Sequence, residues 1–544
     1  MVRNLEITQV GKNKFIIGCG TFLVLSLRTT ACFYIILYMM KRIFTLLSFA
    51  FLLGSLSLHA KVITYPAPIG EDLSLDYTIE VNGLAVPAYL AKTQHHDKKY
   101  SIAYFDFSGS VTVTIKSQFP LTHLAILPDR YGIDAQVDGN IATFTLDSPV
   151  DISFEPAGCN SPLLLFTNPL ETDIPDKNDS NVIYFGPGEH NPMNGLIKLG
   201  SNQTLYIAGG AVVNAGIEAT GDNITIKGRG ILDGSDWEHN AGPTDFMVNA
   251  TDCNNLVMED IIIKGSYYWT VVPQRCDRVL IDHIRLAGSR VGNDDGINPC
   301  NSSNVTIRNC FLRTDDDAIS PKGITRAGGE DTSKSVENIL VENCVFWVDF
   351  ANIFRIATES SCPAIRNFTA RNIDVIHFPD RDRVQIFWLH PTGEMIMENL
   401  TFENIRINGK VPYNLIKLTP MLELVGTRPM VVPRPNNVVL GPGRRGMGSR
   451  GYGEFVVIPS NGPYIHNVVF RNIYTYGSYT NSERKRGTVL LQGINDTKNV
   501  AGITLDNVTY YGLPVLPDNS NVIVGEYVKQ VQFLQSESSE LENR

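Results

Sequence analysis

A short cassette of the form asparagine, apolar, any, apolar, any, asparagine recurs through much of this chain and narrows its possible folds more than any other feature. It reads Asn304-Val-Thr-Ile-Arg-Asn309, Asn338-Ile-Leu-Val-Glu-Asn343, Asn367-Phe-Thr-Ala-Arg-Asn372, Asn399-Leu-Thr-Phe-Glu-Asn404 and Asn467-Val-Val-Phe-Arg-Asn472. Looser copies begin at Asn223, Asn255, Arg278 and Lys498. The closest copies lie 23 residues (Asn255 to Arg278) to 34 residues (Asn304 to Asn338) apart, the length of one coil in a solenoid. Each cassette alternates burial like a strand, and stacking one coil on the next pairs every strand above and below. Asparagine tolerates the left-handed backbone of a tight bend and can hydrogen-bond to the next coil. The pattern predicts a right-handed parallel β-helix over 176–530, with a polar tail at 531–544. The Asn-x-Ser/Thr sequons at Asn304 and Asn399 then read as bend chemistry rather than glycosylation sites.

The rest of the chain reads differently. Residues 61–175 are predicted as a small β-sandwich, with alternation in Tyr77-Thr-Ile-Glu-Val81 and Val111-Thr-Val-Thr-Ile115 and Gly/Pro punctuation. Residues 1–60 read as a leader. Within it, Met39-Met-Lys-Arg42 and the apolar run from Ile43 to about Leu58 form a signal peptide spanning about 39–60, ending near Ala60. Residues 1–38 lie upstream of that start-like Met-Met pair and are read as a misassigned start; an N-terminal membrane anchor is the rival reading. The body is therefore expected to be exported, as a monomer without stable membrane association once the signal is cleaved. The glycine- and arginine-rich stretch 441–453 interrupts the cassettes and reads as a loop from the long insertion at 410–460.

Charge and cysteines exclude other classes. A formal net charge of −10 opposes binding to a phosphate backbone, so nucleic acid is not an expected partner. Seven of the nine cysteines lie beyond the leader, with no CxxC pair and no metal-ligand spacing. They read as buried thiols stacked between coils, and no metal or other cofactor is expected.

Two acidic segments carry the chemistry: Asn293-Asp-Asp-Gly-Ile297 and Thr314-Asp-Asp-Asp-Ala-Ile319. Each adjoins a cassette strand in successive coils, and coils stack about 4.8 Å apart, so the carboxyls become neighbours. Crowded like charges cannot all ionise, so at least one pKa rises. The result is a protonated acid beside ionised carboxylates, which is what glycosidic cleavage needs. A calcium site and a solvated turn are the plain alternatives.

The flanking residues resemble those of the family 28 polygalacturonases over most of 180–510. Asn293-Asp-Asp-Gly-Ile-Asn298 stands where that family carries Asn-Thr-Asp-Gly-Ile-Asp, and Asp315-Asp-Asp-Ala-Ile-Ser320 where it carries Gly-Asp-Asp-Cys/Ala-Ile-Ala. Ile226-Lys-Gly-Arg-Gly-Ile-Leu-Asp-Gly234 and Tyr268-Trp-Thr-Val271 are similar to its earlier coils. The resemblance implies inverting hydrolysis, with Asp316 as general acid and Asp295 with Asp317 activating water. Three consecutive aspartates leave Asp315 as a fallback by one register. Asn293, Asp294 and Lys322 join the substrate-binding candidates.

Departures from the family point to a different sugar. Asn352 stands where the family has the histidine of Gly-His-Gly, and Gln385-Ile-Phe-Trp388 where it has the cationic Arg-Ile-Lys clamp. Gln and Trp cannot neutralise a uronate, although Arg355 is a cation that could partly replace the clamp. A sandwich before a β-helix, with Phe154-Glu-Pro, Leu163-Leu-Leu-Phe-Thr-Asn-Pro169 and Tyr184-Phe-Gly-Pro-Gly188, resembles the family 49 dextranases and isopullulanases. The expected substrate is accordingly a neutral polysaccharide such as an α-glucan. Trp269, Trp347 and above all Trp388 are candidate sugar platforms. A pectin-cleaving polygalacturonase, a polysaccharide lyase and a non-catalytic carbohydrate-binding platform remain as alternatives.

Overall fold

The asparagines that open and close each cassette do adopt the left-handed conformation. Asn304, Asn338, Asn367, Asn399 and Asn467 have φ between 55° and 60°, as do closing residues such as Asn309 and Asn343. In the computed structural model they form two ladders on the outside of a parallel β-helix. The side-chain amide of Asn338 donates to Asn304 at 3.0 Å, Asn367 to Asn338 at 3.0 Å and Asn399 to Asn367 at 3.2 Å. A second ladder runs from Asn309 through Asn343 to Asn372, whose oxygen accepts from Arg406 at 2.9 Å, and resumes from Asn404 through Asn472 to Asn507. The bend chemistry read from the sequons at Asn304 and Asn399 is what these side chains perform.

One expected cassette was placed in the wrong register. The copy beginning at Lys498 does not align, because Ile465 pairs with Val500 and Asn467 therefore faces Gly502. Gly502-Ile-Thr-Leu-Asp-Asn507 is the true repeat. A glycine with φ +67° replaces the opening asparagine, for the same conformational reason.

The structure describes residues 60–95, 98–156, 161–323, 334–357, 360, 362–379, 384–391, 395–408, 414–420, 464–476 and 488–536, and the backbone of 6–9, 14–18 and 22–26. The expected signal-peptide core, the 441–453 loop, most of the 410–460 insertion and Cys159 lie outside the described residues. Residues 1–61 form a unit of their own, in which Glu6–Gln9, Lys14–Gly18 and Phe22–Ser26 make a three-stranded antiparallel sheet. Among the described residues, no helix is long and apolar enough to cross a membrane.

The fold is all-β, a right-handed parallel β-helix preceded by a β-sandwich. One sandwich sheet contains Tyr77–Val81 and Val111–Ser117, with the alternating burial read from sequence. The other centres on Lys99–Ser108, which pairs in parallel with Leu163–Pro169. Lys99–Ser108 is buried on both faces because the sheet is covered twice. Tyr100, Ile102, Tyr104, Leu164 and Phe166 pack against Val212, Ile231, Ile262, Phe311, Val345 and Trp347 of the β-helix.

A long sheet runs the length of the β-helix, from Val182–Phe185 to Val528–Leu534. A second face is broken into a four-stranded part ending at Val271–Gln274 and a five-stranded part beginning at Phe354–Ile356. Single-residue bridges join the parts: Val271 to Ile297, Ile297 to Ile319, Ile319 to Phe354. The two coils that carry the acidic segments are thus the ones where regular strand gives way. Gly296 permits their close approach, since a Cβ there would lie 2.4 Å from the carbonyl oxygen of Ala318.

Candidate active site

The bridges fix which residues share a column. With Ile297 opposite Ile319 and Phe354 opposite Phe387, residues two positions earlier stack as Asp295, Asp317, Asn352 and Gln385. Equivalent positions in successive coils lie one strand spacing apart, so the stacking makes these four groups neighbours. Backbone bonds lock the stack: Gly296 N–H donates to Asp317 O at 2.9 Å and Ala318 N–H to Asn352 O at 3.0 Å.

The three expected carboxyls come together in three different environments. Asp295 is buried and accepts from Lys322 Nζ at 2.9 Å and Asn298 Nδ2 at 2.7 Å. Burial is the largest influence and raises its pKa, with Lys322 opposing and Asp317 reinforcing the rise. Asp317 is buried too; its Oδ1 accepts from Asn352 N–H at 3.1 Å and Nδ2 at 2.8 Å, and Arg355 lies 3.5 Å from its Oδ2. Asp316 is only partly covered. It accepts from Asn293 Nδ2 at 3.1 Å and from Asp317 N–H at 2.9 Å, and no salt bridge to it is seen among the described residues. Desolvation first, then the neighbouring charges of Asp295 and Asp317, hold its carboxyl well above the usual carboxylate range. Arg355 and Lys322 oppose that rise from a distance.

Asp294 and Asp315 face elsewhere. Asp294 is buried, with Oδ1 accepting Asp315 N–H at 2.6 Å and Oδ2 accepting Ser289 N–H. The Asp315 carboxylate meets the His95 ring, from the sandwich. Asp315, the fallback by one register, is therefore engaged by the sandwich rather than by the Asp295–Asp317 column. Burial, then Asp315, pushes the Asp294 carboxyl well above the ordinary range.

The remaining candidates divide. Asn352 relays the column, since its Oδ1 accepts Gln385 N–H at 3.0 Å. Among the described residues, the buried Oε1 of Gln385, Oδ1 of Asn298 and Nε1 of Trp388 find no hydrogen-bond partner. Lys322 was expected to meet substrate, but it is 2% exposed, is committed to Asp295 and lies 3.6 Å from the ring centroid of Trp269. Trp269 is likewise 2% exposed, stacked on Phe246 at 5.1 Å, so it supports the site from behind and offers no sugar platform. Trp347 packs beneath the sandwich between Arg313 and His377. Both are candidates only by their place near the groove coils, and burial makes them packing residues. Trp388 is partly open. It lies 4.7 Å from the Arg355 guanidinium, 4.7 Å from Lys417 Nζ and 4.4 Å from the His390 ring. Lys417 and His390 were missed from sequence. Lys417 follows from register alone, as Arg355, Trp388 and Lys417 pair across successive coils. Burial, then Arg355, Lys417 and Lys322, keeps the His390 imidazole well below its ordinary value.

Among the described residues no group of three or more His, Cys, Asp or Glu is arranged to hold a metal ion. The six described cysteines are buried free thiols, stacked as expected at Cys253 with Cys276 and at Cys310 with Cys344.

Comparison with known proteins agrees with this layout. The sequence model for glycosyl hydrolases family 28 matches residues 206–347, which include both acidic segments. A probable polygalacturonase of Arabidopsis thaliana is 27% identical over 147 residues, 23% of this chain and 32% of its own length. A probable polygalacturonase of Vitis vinifera is 30% identical over 109 residues, 19% of this chain and 22% of its own length. The chain therefore spans a third or less of either relative. Dex49A from Penicillium minioluteum shares the fold along most of both molecules, with a TM-score of 0.59 at 14% identity over 86% of this chain and 96% of that one. The chain thus resembles the pectinase-like β-helix glycoside hydrolases, in family 28 motifs and in the architecture of Dex49A.

Proposed function

We propose that this protein is a glycoside hydrolase that cleaves the O-glycosidic bonds of a polysaccharide or oligosaccharide with inversion at the anomeric carbon. The observation that carries the reading is the unequal treatment of three adjacent carboxyls. Asp316 is held toward protonation and reaches the surface, as a general acid must to protonate a leaving oxygen. Asp295 and Asp317 are each anchored by a cation and an amide, and together they activate the attacking water. No step calls for a cofactor. We further read the protein as exported and acting as a monomer.

For the substrate we favour a neutral glycan such as an α-glucan. Amides, Asn352 and Gln385, stand where the resembling family has its histidine and clamp, and Lys322 and Arg355 already face the site's own aspartates. One observation favours a second reading, a pectin-type uronan: Arg355 and Lys417 flank Trp388 two coils beyond the acids.

Incubation with dextran, pullulan, polygalacturonate and rhamnogalacturonan, following reducing ends and unsaturated-product absorbance together, tests both. Reducing ends from a glucan, abolished in Asp316→Asn, are expected. Reducing ends from polygalacturonate alone would transfer the assignment to the second reading. Unsaturated products would replace hydrolysis by elimination.

A further inference from the structure

We propose that the N-terminal sandwich supplies a positioning residue to the site, His95, which clamps the Thr314–Asp317 turn so that Asp316 faces Asp295 and Asp317. The turn lies in a coil that pairs on that face only through isolated bridges, Ile319 to Ile297 and Phe354 and Lys322 to Cys300, so no regular strand holds it there. Asp315, next to the proposed acid, is instead fixed at every polar group. Its N–H donates to Asp294 Oδ1 at 2.6 Å, its carbonyl accepts the N–H groups of Phe350 and Ala351 at 3.0 Å each, and its carboxylate is held by the His95 ring. With Asp315 pinned, the chain direction leaves Asp316 to project on the other side.

The sandwich segment is itself built onto this point. Gln94 N–H donates to Ser289 O at 2.9 Å, and Tyr100 OH donates to Gly288 O at 2.8 Å. Ser289 in turn gives its N–H to Asp294 and its hydroxyl to Asp349 at 2.6 Å. Arg313, at the head of the turn, donates to Asp349 at 3.0 Å and lies 4.1 Å from the Tyr100 ring. Phe350 lies 6.2 Å from the His95 ring. Three sandwich residues, Gln94, His95 and Tyr100, and the turn thus share one polar cluster, buried at Tyr100 and open to solvent at the Gln94–His95 rim. The pairing with Asp315 raises the His95 pKa, with burial opposing the rise.

The control is built into the fold. His377 makes a comparable contact to the sandwich, its ring meeting Glu155 at 2.8 Å, but it packs on Trp347 rather than on an acidic residue of the turn. Hydrogen–deuterium exchange of the intact chain, read on peptides covering 311–318, compares wild type, His95→Ala, His95→Gln and His377→Gln. His95→Ala is expected to speed exchange of that peptide about tenfold, with His95→Gln recovering most of the protection and His377→Gln leaving it unchanged. On whichever glycan the wild type cleaves, His95→Ala is expected to lower kcat about tenfold with KM within twofold. This second arm rests on the hydrolase reading; the exchange arm does not. A wild type that cleaves nothing would count against hydrolysis and leave the exchange result to decide the clamp. Unchanged exchange in His95→Ala, or equal effects of His95→Ala and His377→Gln, would overturn the proposal.

Discussion

Asp316 is a poor residue for stability and a good one for acid catalysis, for one physical reason. Its ionised form is penalised by burial and by two neighbouring carboxylates, so the folded protein holds its proton more tightly than the unfolded chain does. A raised carboxyl pKa leaves stability intact below the ordinary value near 4 and withdraws it as pH rises through the folded value. Asp316→Asn removes that penalty. The variant is expected to lose about 10²–10⁴ of the turnover and yet melt a few degrees higher than wild type at neutral pH, with the gap closing toward pH 4. Parallel activity assays and calorimetry between pH 4 and 8 check both halves. Lys322 behaves in the opposite way. Lys322→Met strands a buried Asp295, so a loss of about 3–5 kcal/mol is expected in urea unfolding, and restoring neutrality with Asp295→Asn in the same chain should recover much of it. The acids themselves were legible in the sequence because their motif is local. Lys322's commitment to Asp295 and the arrival of Lys417 beside Trp388 were not, since both depend on how many residues each coil contains.

The asparagine ladders show where repeat reading succeeds and where it stops. Five full cassettes gave strands, bends and register together, because a left-handed bend restricts the residue to asparagine, glycine and few others. In the coil of Val500–Tyr510 glycine serves the same backbone need, and a pattern anchored on asparagine slips to Lys498. Asn367 lies in mid-ladder, donating to Asn338 and accepting from Asn399. Asn367→Ala loses both bonds and strains a φ of 56°, so a destabilisation of about 1–3 kcal/mol is expected. Asn367→Gly keeps the backbone freedom and loses only the bonds, so it should cost less. Chemical denaturation of the two variants separates bend strain from ladder bonding; equal losses would mean that the ladder bonds alone matter.

Sandwich and β-helix share more than a surface. The cluster between them is apolar on both sides, from Tyr104 and Phe166 to Phe311 and Trp347, and it is crossed by a buried ion pair. Arg285 of the β-helix donates to both Asp151 oxygens, at 2.9 and 3.2 Å, and to Thr167 O at 3.2 Å. None of this was visible in the sequence, because Asp151 and Arg285 are 134 positions apart and neither lies in a motif. An interface of this kind resembles a continuous core more than a domain contact, which is ordinarily more polar. The sandwich and the coils it covers are therefore expected to melt in one calorimetric transition. Arg285→Met leaves Asp151 buried without its cation, at a cost of about 3–5 kcal/mol concentrated at the junction. If the two parts fold as one, that variant melts earlier but still in a single step. If they are coupled only by this contact, the single transition divides, with the sandwich unfolding first and taking with it the support it gives to the acid-bearing coils.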